Sequence, residues 1–146
     1  MKQEVVKLKD IALFDRLRPQ LSALLDELKE LSKKKADAAI SKFKLKLVNE
    51  KLAESNGLLG SGNKPFKDFD LLDVDNVPTT SDAVIVLSQY LEALETWRSA
   101  RVFFNEEDRE WYWNNTEESS WVRAKPPRRS QIIEANKEDE TDDEEE

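Results

Sequence analysis

At 146 residues, with 37% charged and 38% hydrophobic side chains, the chain is sized for one domain with an appendage and a modest core. Its net charge of −8 is local: Lys137 to Glu146 holds eight acids and one lysine, a net −7, which leaves −1 for everything before it. The chain has no cysteine and no histidine, which excludes disulfides and thiol nucleophiles and removes the commonest general base and metal ligand.

The N-terminal "MKQEVVKLKD" has no apolar run of the kind a signal peptide needs, and nowhere do about eighteen apolar residues follow one another. A soluble cytoplasmic protein without a membrane partner is expected. Residues 1–10 read as a lead-in. From 11 to 33, apolar side chains at Phe14, Leu17, Leu21, Leu24, Leu28 and Leu31 step by three and four, a coiled-coil-like seam that Leu13 and Leu25 widen. One long helix with a bend near Pro19 is expected. "SKKKAD" (32–37) is a polar joint, and Asp37 is the predicted N-cap of a second helix ending at Asn56-Gly57. Ile40, Phe43, Leu47, Val48 and Leu52 form its predicted buried face. Two helices with a short joint make an antiparallel hairpin.

Residues 57–80 hold all three glycines and two prolines, so they read as a long loop. Leu58, Leu59, Phe66, Phe69, Leu71, Leu72 and Val74 require it to wrap over the helices with these side chains tucked beneath. Thr80 or Ser81 then caps a third helix, whose Ala83, Leu87, Tyr90, Leu94 and Trp97 make it the most apolar and hence central. After it, the short aromatic runs 102–104, 111–113 and 120–122 are separated by turn-like "NEED" and "NNTEES", the signature of a hairpin or small meander. The expected fold is mainly α: a three-helix antiparallel bundle with a long wrapping loop and a small C-terminal β-hairpin or meander. The domain spans 11–124 with its aromatic hairpin at 102–122, and 125–146 forms a disordered tail, acidic at 137–146.

Three of four tryptophans fall in "EWYWNNTEESSWV" (110–122). Alternate strand residues share a face, so Trp111 and Trp113 are expected together with Tyr112 opposite, and a cross-strand Trp121 completes the cluster. The stretch "REWYWNNTEESSWVRAKP" resembles the second half of a WW domain. The resemblance covers about eighteen residues and implies Trp111 and Trp121 on a face that grips proline-rich peptides, with Asn114 as the structural asparagine. The interval from Asn114 to Trp121 is one residue shorter than in that family, the first-turn glycine is absent, and the first signature tryptophan would have to be Trp97, which belongs to the helical stripe. Trp111, Tyr112, Trp113 and Trp121 are the candidate partner-binding residues, against the simpler role of a lid on the core.

The loop "DFDLLDVDN" (68–76) lacks calcium-loop spacing in either frame, and no phosphate loop, nucleophile elbow or histidine-bearing triad exists. No catalytic residue, metal or cofactor is expected, and the protein reads as a non-enzyme. Lys42, Lys44, Lys46, Lys51, Arg128 and Arg129 form a candidate basic face, but a near-neutral body and an acidic tail that competes with phosphate disfavour nucleic acid. The expected function is a small interaction module: an adaptor, or a partner-neutralising regulator of antitoxin, immunity or chaperone-like kind, acting on another protein through the aromatic surface. The alternative is a nucleic-acid-associated accessory protein using the lysine-rich second helix. Oligomeric state is not specified by the sequence. Removing residues 137–146 is expected to leave far-UV circular dichroism and melting temperature unchanged, because a self-repelling acidic run buries no apolar area.

Overall fold

The computed structural model describes residues 4–117 and 121–128. The acidic run at 137–146, Arg129 and residues 118–120 lie outside them. Within them the protein is mainly helical, with three α-helices and a two-stranded antiparallel sheet at the C-terminal end. Its residues group into two compact units, 9–94 and 1–8 with 95–146, divided inside the third helix.

In the first unit, the 11–33 seam folds as α1 (Leu8–Lys34), continuous through Pro19. Pro19 is exposed, so its ring meets water while the buried stripe passes beside it. That stripe is Ile11, Phe14, Leu17, Leu21, Leu25 and Leu28. Leu24 and Leu31, expected in it, are only half-buried. A straight helix repeats every 3.6 residues, so it drifts off a 3.5-residue seam and the buried position moves from 24 to 25.

The second helix, α2 (Lys42–Leu59), begins later than expected, and Ser41 rather than Asp37 is its N-cap, accepting from the Lys44 N–H at 3.2 Å. The reason is tertiary. Ala38 to Ile40 are committed to pairing, with an isolated Ala39–Thr79 bridge, Ile40 N–H to Pro78 O at 3.0 Å and Thr80 N–H to Ala38 O at 2.9 Å. Ile40 is buried from this extended stretch, not from the helix. The helix then runs through Gly57, which costs about 1 kcal/mol of propensity, because Leu58 and Leu59 are buried. Gly60, at φ +71°, supplies the C-cap. The buried face steps through Leu45, Val48, Leu52, Ser55 and Leu59. Phe43 falls roughly opposite Leu45 at about 100° per residue and is 71% exposed, against the expectation that it is core.

Two asparagines of α2 hold the long loop. Asn49 makes a reciprocal pair with the Leu72 backbone, accepting from its N–H at 3.0 Å and donating to its carbonyl at 3.1 Å. Asn56 donates to Asp70 O at 2.8 Å and accepts from the Tyr90 hydroxyl at 2.6 Å. Phe66 and Phe69 meet edge-on at 5.5 Å and both contact the Tyr90 ring. Leu72 is buried, whereas Leu71 and Val74, also expected beneath the loop, are exposed. Val74–Asn76 forms one 3₁₀ turn, and Val77 ends it at φ 48°, a strained setting for a β-branched residue.

The third helix, α3 (Thr80–Ser99), starts one residue after its actual cap. Thr79 Oγ1 accepts from the Asp82 N–H at 3.2 Å and Asp82 returns a bond to the Thr79 N–H at 3.0 Å, a capping box. Ala83, Leu87, Tyr90, Leu94 and Trp97 are all buried, as their spacing predicts.

In the second unit, β1 (Val102–Asn105) and β2 (Glu110–Trp113) form an antiparallel hairpin in the register Val102–Trp113, Phe103–Tyr112, Phe104–Trp111. Asn105 and Asp108 side chains accept from the Glu107 and Glu110 N–H groups, and Arg109 takes a positive φ of 59° to close the turn. Among the described residues no helix is long and apolar enough to cross a membrane.

Leu94 has no exposed surface. Leu94→Asp is expected to abolish cooperative thermal unfolding, since an unpaired buried carboxylate costs several kcal/mol. Thr79→Ala is expected to lower stability by about 1 kcal/mol, read from chemical denaturation.

Candidate interaction site

The hairpin register sorts the aromatic side chains onto two faces. Val102, Phe104, Trp111 and Trp113 alternate onto one, Phe103 and Tyr112 onto the other. On the first face Trp113 is 3% exposed and packs against Trp97 at 6.0 Å between ring centroids, with the Arg101 guanidinium 4.6 Å from the Trp97 centroid. Burial lowers the Arg101 pKa from its ordinary value, and the Glu4 charge opposes that. Further out on this face Trp111 is half-buried against Phe104 at 5.4 Å.

The chain beyond the hairpin returns along the free edge of β2. Trp113 N–H donates to Val122 O at 2.9 Å and Ala124 N–H to Trp111 O at 3.0 Å, flanking an isolated Tyr112–Arg123 bridge. This return sets Trp121 beside Tyr112, edge-on at 5.0 Å, and 5.8 Å from Phe103. The expected grouping of Trp121 with Trp111 and Trp113 is therefore corrected: Trp121 belongs to the Phe103–Tyr112 face. The carry-over from the WW resemblance changes in the same way, because Trp111 and Trp121 do not share a face. Asn114 donates from Nδ2 to Glu4 O at 3.1 Å, and its backbone pairs with Val6 and Arg101.

A buried ion pair anchors the returning segment. Arg98 meets Glu95 at 2.5 and 3.2 Å, one helical step apart, with side chains only 7% and 9% exposed. The same guanidinium donates to Lys125 O at 2.6 Å and Pro126 O at 2.8 Å. Sequence reasoning missed both Arg98 and Phe103. Arg98 looks like an ordinary last-turn helix cation, and Phe103 becomes a partner of Tyr112 only once the register is known.

Exposure separates the four aromatic candidates. Trp113 and Tyr112 are buried, so they support the surface and do not present it. Trp121 is 59% exposed, the most open tryptophan, and stands on two supporting rings. The Tyr112 hydroxyl donates to Asp108 Oδ2, which pushes its pKa above the ordinary tyrosine value; burial and the Asp108 charge add to this, and Arg123 opposes it.

The expected basic face does not form a single stripe. At about 100° per residue, Lys42 and Lys46 share one side of α2, while Lys44 and Lys51 fall on the opposite side. Lys44 is 3.5 Å from Glu27 and Lys51 3.2 Å from Glu54, so two of the four charges already face carboxylates. Arg128 is half-buried, and Arg129 lies outside the described residues. Among the described residues no group of three or more His, Cys, Asp or Glu could hold a metal ion. Comparison of the chain with protein-family models, curated proteins and solved structures gives no match.

The chain's two tyrosines, Tyr90 and Tyr112, both have raised pKa values, Tyr90 through burial first, with the Asn56 hydrogen bond opposing and Asp70 adding to it. The neutral phenol is the form the fold favours, so its stabilisation is complete below the ordinary value of 10.0 and is lost as pH rises through the shifted values. A spectrophotometric titration is expected to show little phenolate absorbance at that pH in the native protein and a full two-tyrosine step in denaturant.

Proposed function

We propose that this is a non-catalytic protein–protein interaction module, an adaptor or a partner-neutralising regulator, whose contact surface is the aromatic face crowned by Trp121. One observation carries the reading: a tryptophan more than half in water is held edge-on by Tyr112 and Phe103 instead of lying free. Exposed aromatic rings with restrained rotamers lose little entropy on contact and dominate interface energies. Trp113, packed on Trp97, gives that face a rigid backing. The Arg98 bonds to Lys125 and Pro126 restrain the segment that bears Trp121. In this reading the opening alternatives are divided between side chains: Trp113 is the lid, Trp121 the platform.

The scaffold in this reading is a three-helix bundle with the 60–79 loop wrapped over it. In it α1 and α2 are antiparallel as the sequence suggested, but α2 and α3 are not, because the Ala39–Thr79 bridge and the Tyr90–Asn56 bond run them from the same end. The ion pairs support the antiparallel sense of the first two helices. Arg16, early in α1, meets Glu54, late in α2, at 3.2 Å, and Lys44, early in α2, meets Glu27, late in α1. A cytoplasmic setting, where a cysteine-free chain needs no oxidative folding, belongs to the same proposal. The division of the α2 lysines between two sides weighs against the nucleic-acid alternative.

The test separates stability from binding. Trp121→Ala is expected to change stability by less than about 1 kcal/mol and to abolish co-purification of the native partner. Trp113→Ala is expected to cost roughly 3–5 kcal/mol, the penalty of emptying a large core site. Iodide quenching should reach Trp121 first and leave Trp97 and Trp113 shielded. Retention on heparin with a steep salt slope, unaffected by Trp121→Ala, would instead favour nucleic acid.

A further inference from the structure

Two features of the 9–94 unit have no role in the reading above, and they complement each other. The first is a groove of about 480 Å3 lined by Phe66, Asp68, Phe69, Asp82, Ile85 and Val86. Its walls are apolar and aromatic, and Ile85 is 60% exposed on a helix face that otherwise shows Asp82, Gln89 and Glu92 to solvent. Two carboxylates, Asp68 and Asp82, stand among its lining residues. Asp68 is exposed, and one Asp82 oxygen caps α3 by accepting from the Thr79 N–H. An apolar slot under carboxylates fits an apolar side chain flanked by cations.

The second feature is such a side chain. Phe43 has the greatest exposure of the large hydrophobic residues among those described, and Lys42 and Lys46 stand on its side of α2, both exposed. Nothing in the local fold requires a phenylalanine in water at that position. A single exposed apolar residue is ordinary, but one bracketed by lysines alongside a matching acid-rimmed slot is a complementary pair. Phe43 lies in the first turn of α2 and Asp82 and Ile85 in the first two turns of α3, at the end where the Ala39–Thr79 bridge joins the two helix starts. A two-fold axis at that end would form the contact twice, the isologous arrangement common in homodimers.

We infer that the protein self-associates through this end: Phe43 of one copy enters the Phe66–Phe69–Ile85 groove of a second copy, with Lys42 and Lys46 facing Asp68 and Asp82. The contact is local and complementary in charge, so it operates between chains whose overall charge of −8 opposes association.

Sedimentation equilibrium of the full chain from micromolar to millimolar concentration tests it. A reversible dimer is expected. Phe43→Ser and Ile85→Asp, both at exposed positions and so expected to keep the wild-type circular dichroism and melting temperature, should each weaken it about tenfold or more. Mixing the two variants should recover part of the association, because one intact Phe43 then meets one intact groove. Lys42→Glu should weaken it, and combination with Asp68→Lys should restore it. A monomer throughout the range overturns the inference, as does a dimer indifferent to Phe43→Ser and Ile85→Asp. A monomer that binds an isolated Lys-Phe-Lys peptide also overturns it, by showing that the groove serves another protein.

Discussion

Burying a guanidinium is tolerable only if its charge is countered and each of its nitrogens finds an acceptor, and in the C-terminal unit Arg98 meets that demand. Glu95 supplies the counter-charge from the preceding helical turn, and the carbonyls of Lys125 and Pro126 each accept one further N–H. Pro126 and Pro127 offer no N–H and cannot enter a sheet, so the carbonyls of this segment need donors from outside it. Arg98 is such a donor. Its hold on 125–126 draws residues 121–124 along β2, and with them Trp121 onto Tyr112 and Phe103. The exposed ring that carries the functional proposal therefore depends on a buried salt bridge that holds the same segment a few residues further on. Removing one member of such a pair leaves the other uncompensated, a loss of about 3–5 kcal/mol.

The 9–94 unit solves a different problem with neutral groups. A twenty-residue connection of mixed apolar and acidic character would be costly to order by burial alone, since only Leu72 and Pro78 are buried. Asn49 and Asn56 compensate by acting as backbone mimics. The first makes a two-bond pair with Leu72, and the second bridges Asp70 and the Tyr90 hydroxyl. Amide side chains can donate and accept at once, which is why asparagine performs this task where a lysine or an acid could not. The price is that the rest of the loop stays in water, leaving Phe66 and Phe69 only half-covered beside Ile85. The groove that the self-association proposal uses is a consequence of that incomplete coverage.

Taken together, the two proposals give the protein two recognition surfaces of unlike chemistry. The Trp121 face is aromatic, supported from behind and bordered by Asp108 and Arg123. The α2–α3 end pairs an apolar slot with carboxylates against a phenylalanine with lysines. Each surface belongs to its own compact unit, so a change at one need not pass through the other to be felt by its ligand. An adaptor or a neutralising regulator gains from that arrangement, because dimerisation multiplies the number of identical contact faces without altering any of them.

The sequence by itself determined whatever depends on local periodicity and local chemistry. The spacing of Ala83, Leu87, Tyr90, Leu94 and Trp97 names the buried face of α3, since a 3.6-residue period leaves no other set on one side. Short aromatic runs divided by Asn and acidic turns specify a hairpin, and period-two alternation sends Tyr112 and Trp113 to opposite faces. What only the tertiary structure decided are the matters set by distant partners. The start of α2 moved from Asp37 to Ser41 because Ala38 to Ile40 pair with residues near 79. Val6 is buried through backbone bonds to Asn114 and Thr116, more than a hundred residues away, which no lead-in composition announces. Trp121 joined Tyr112 and Phe103, not Trp111, because the edge of β2 on which the chain returns fixes which face a side chain meets. Register and pairing are relations between segments, and a periodicity read within one segment has no access to them.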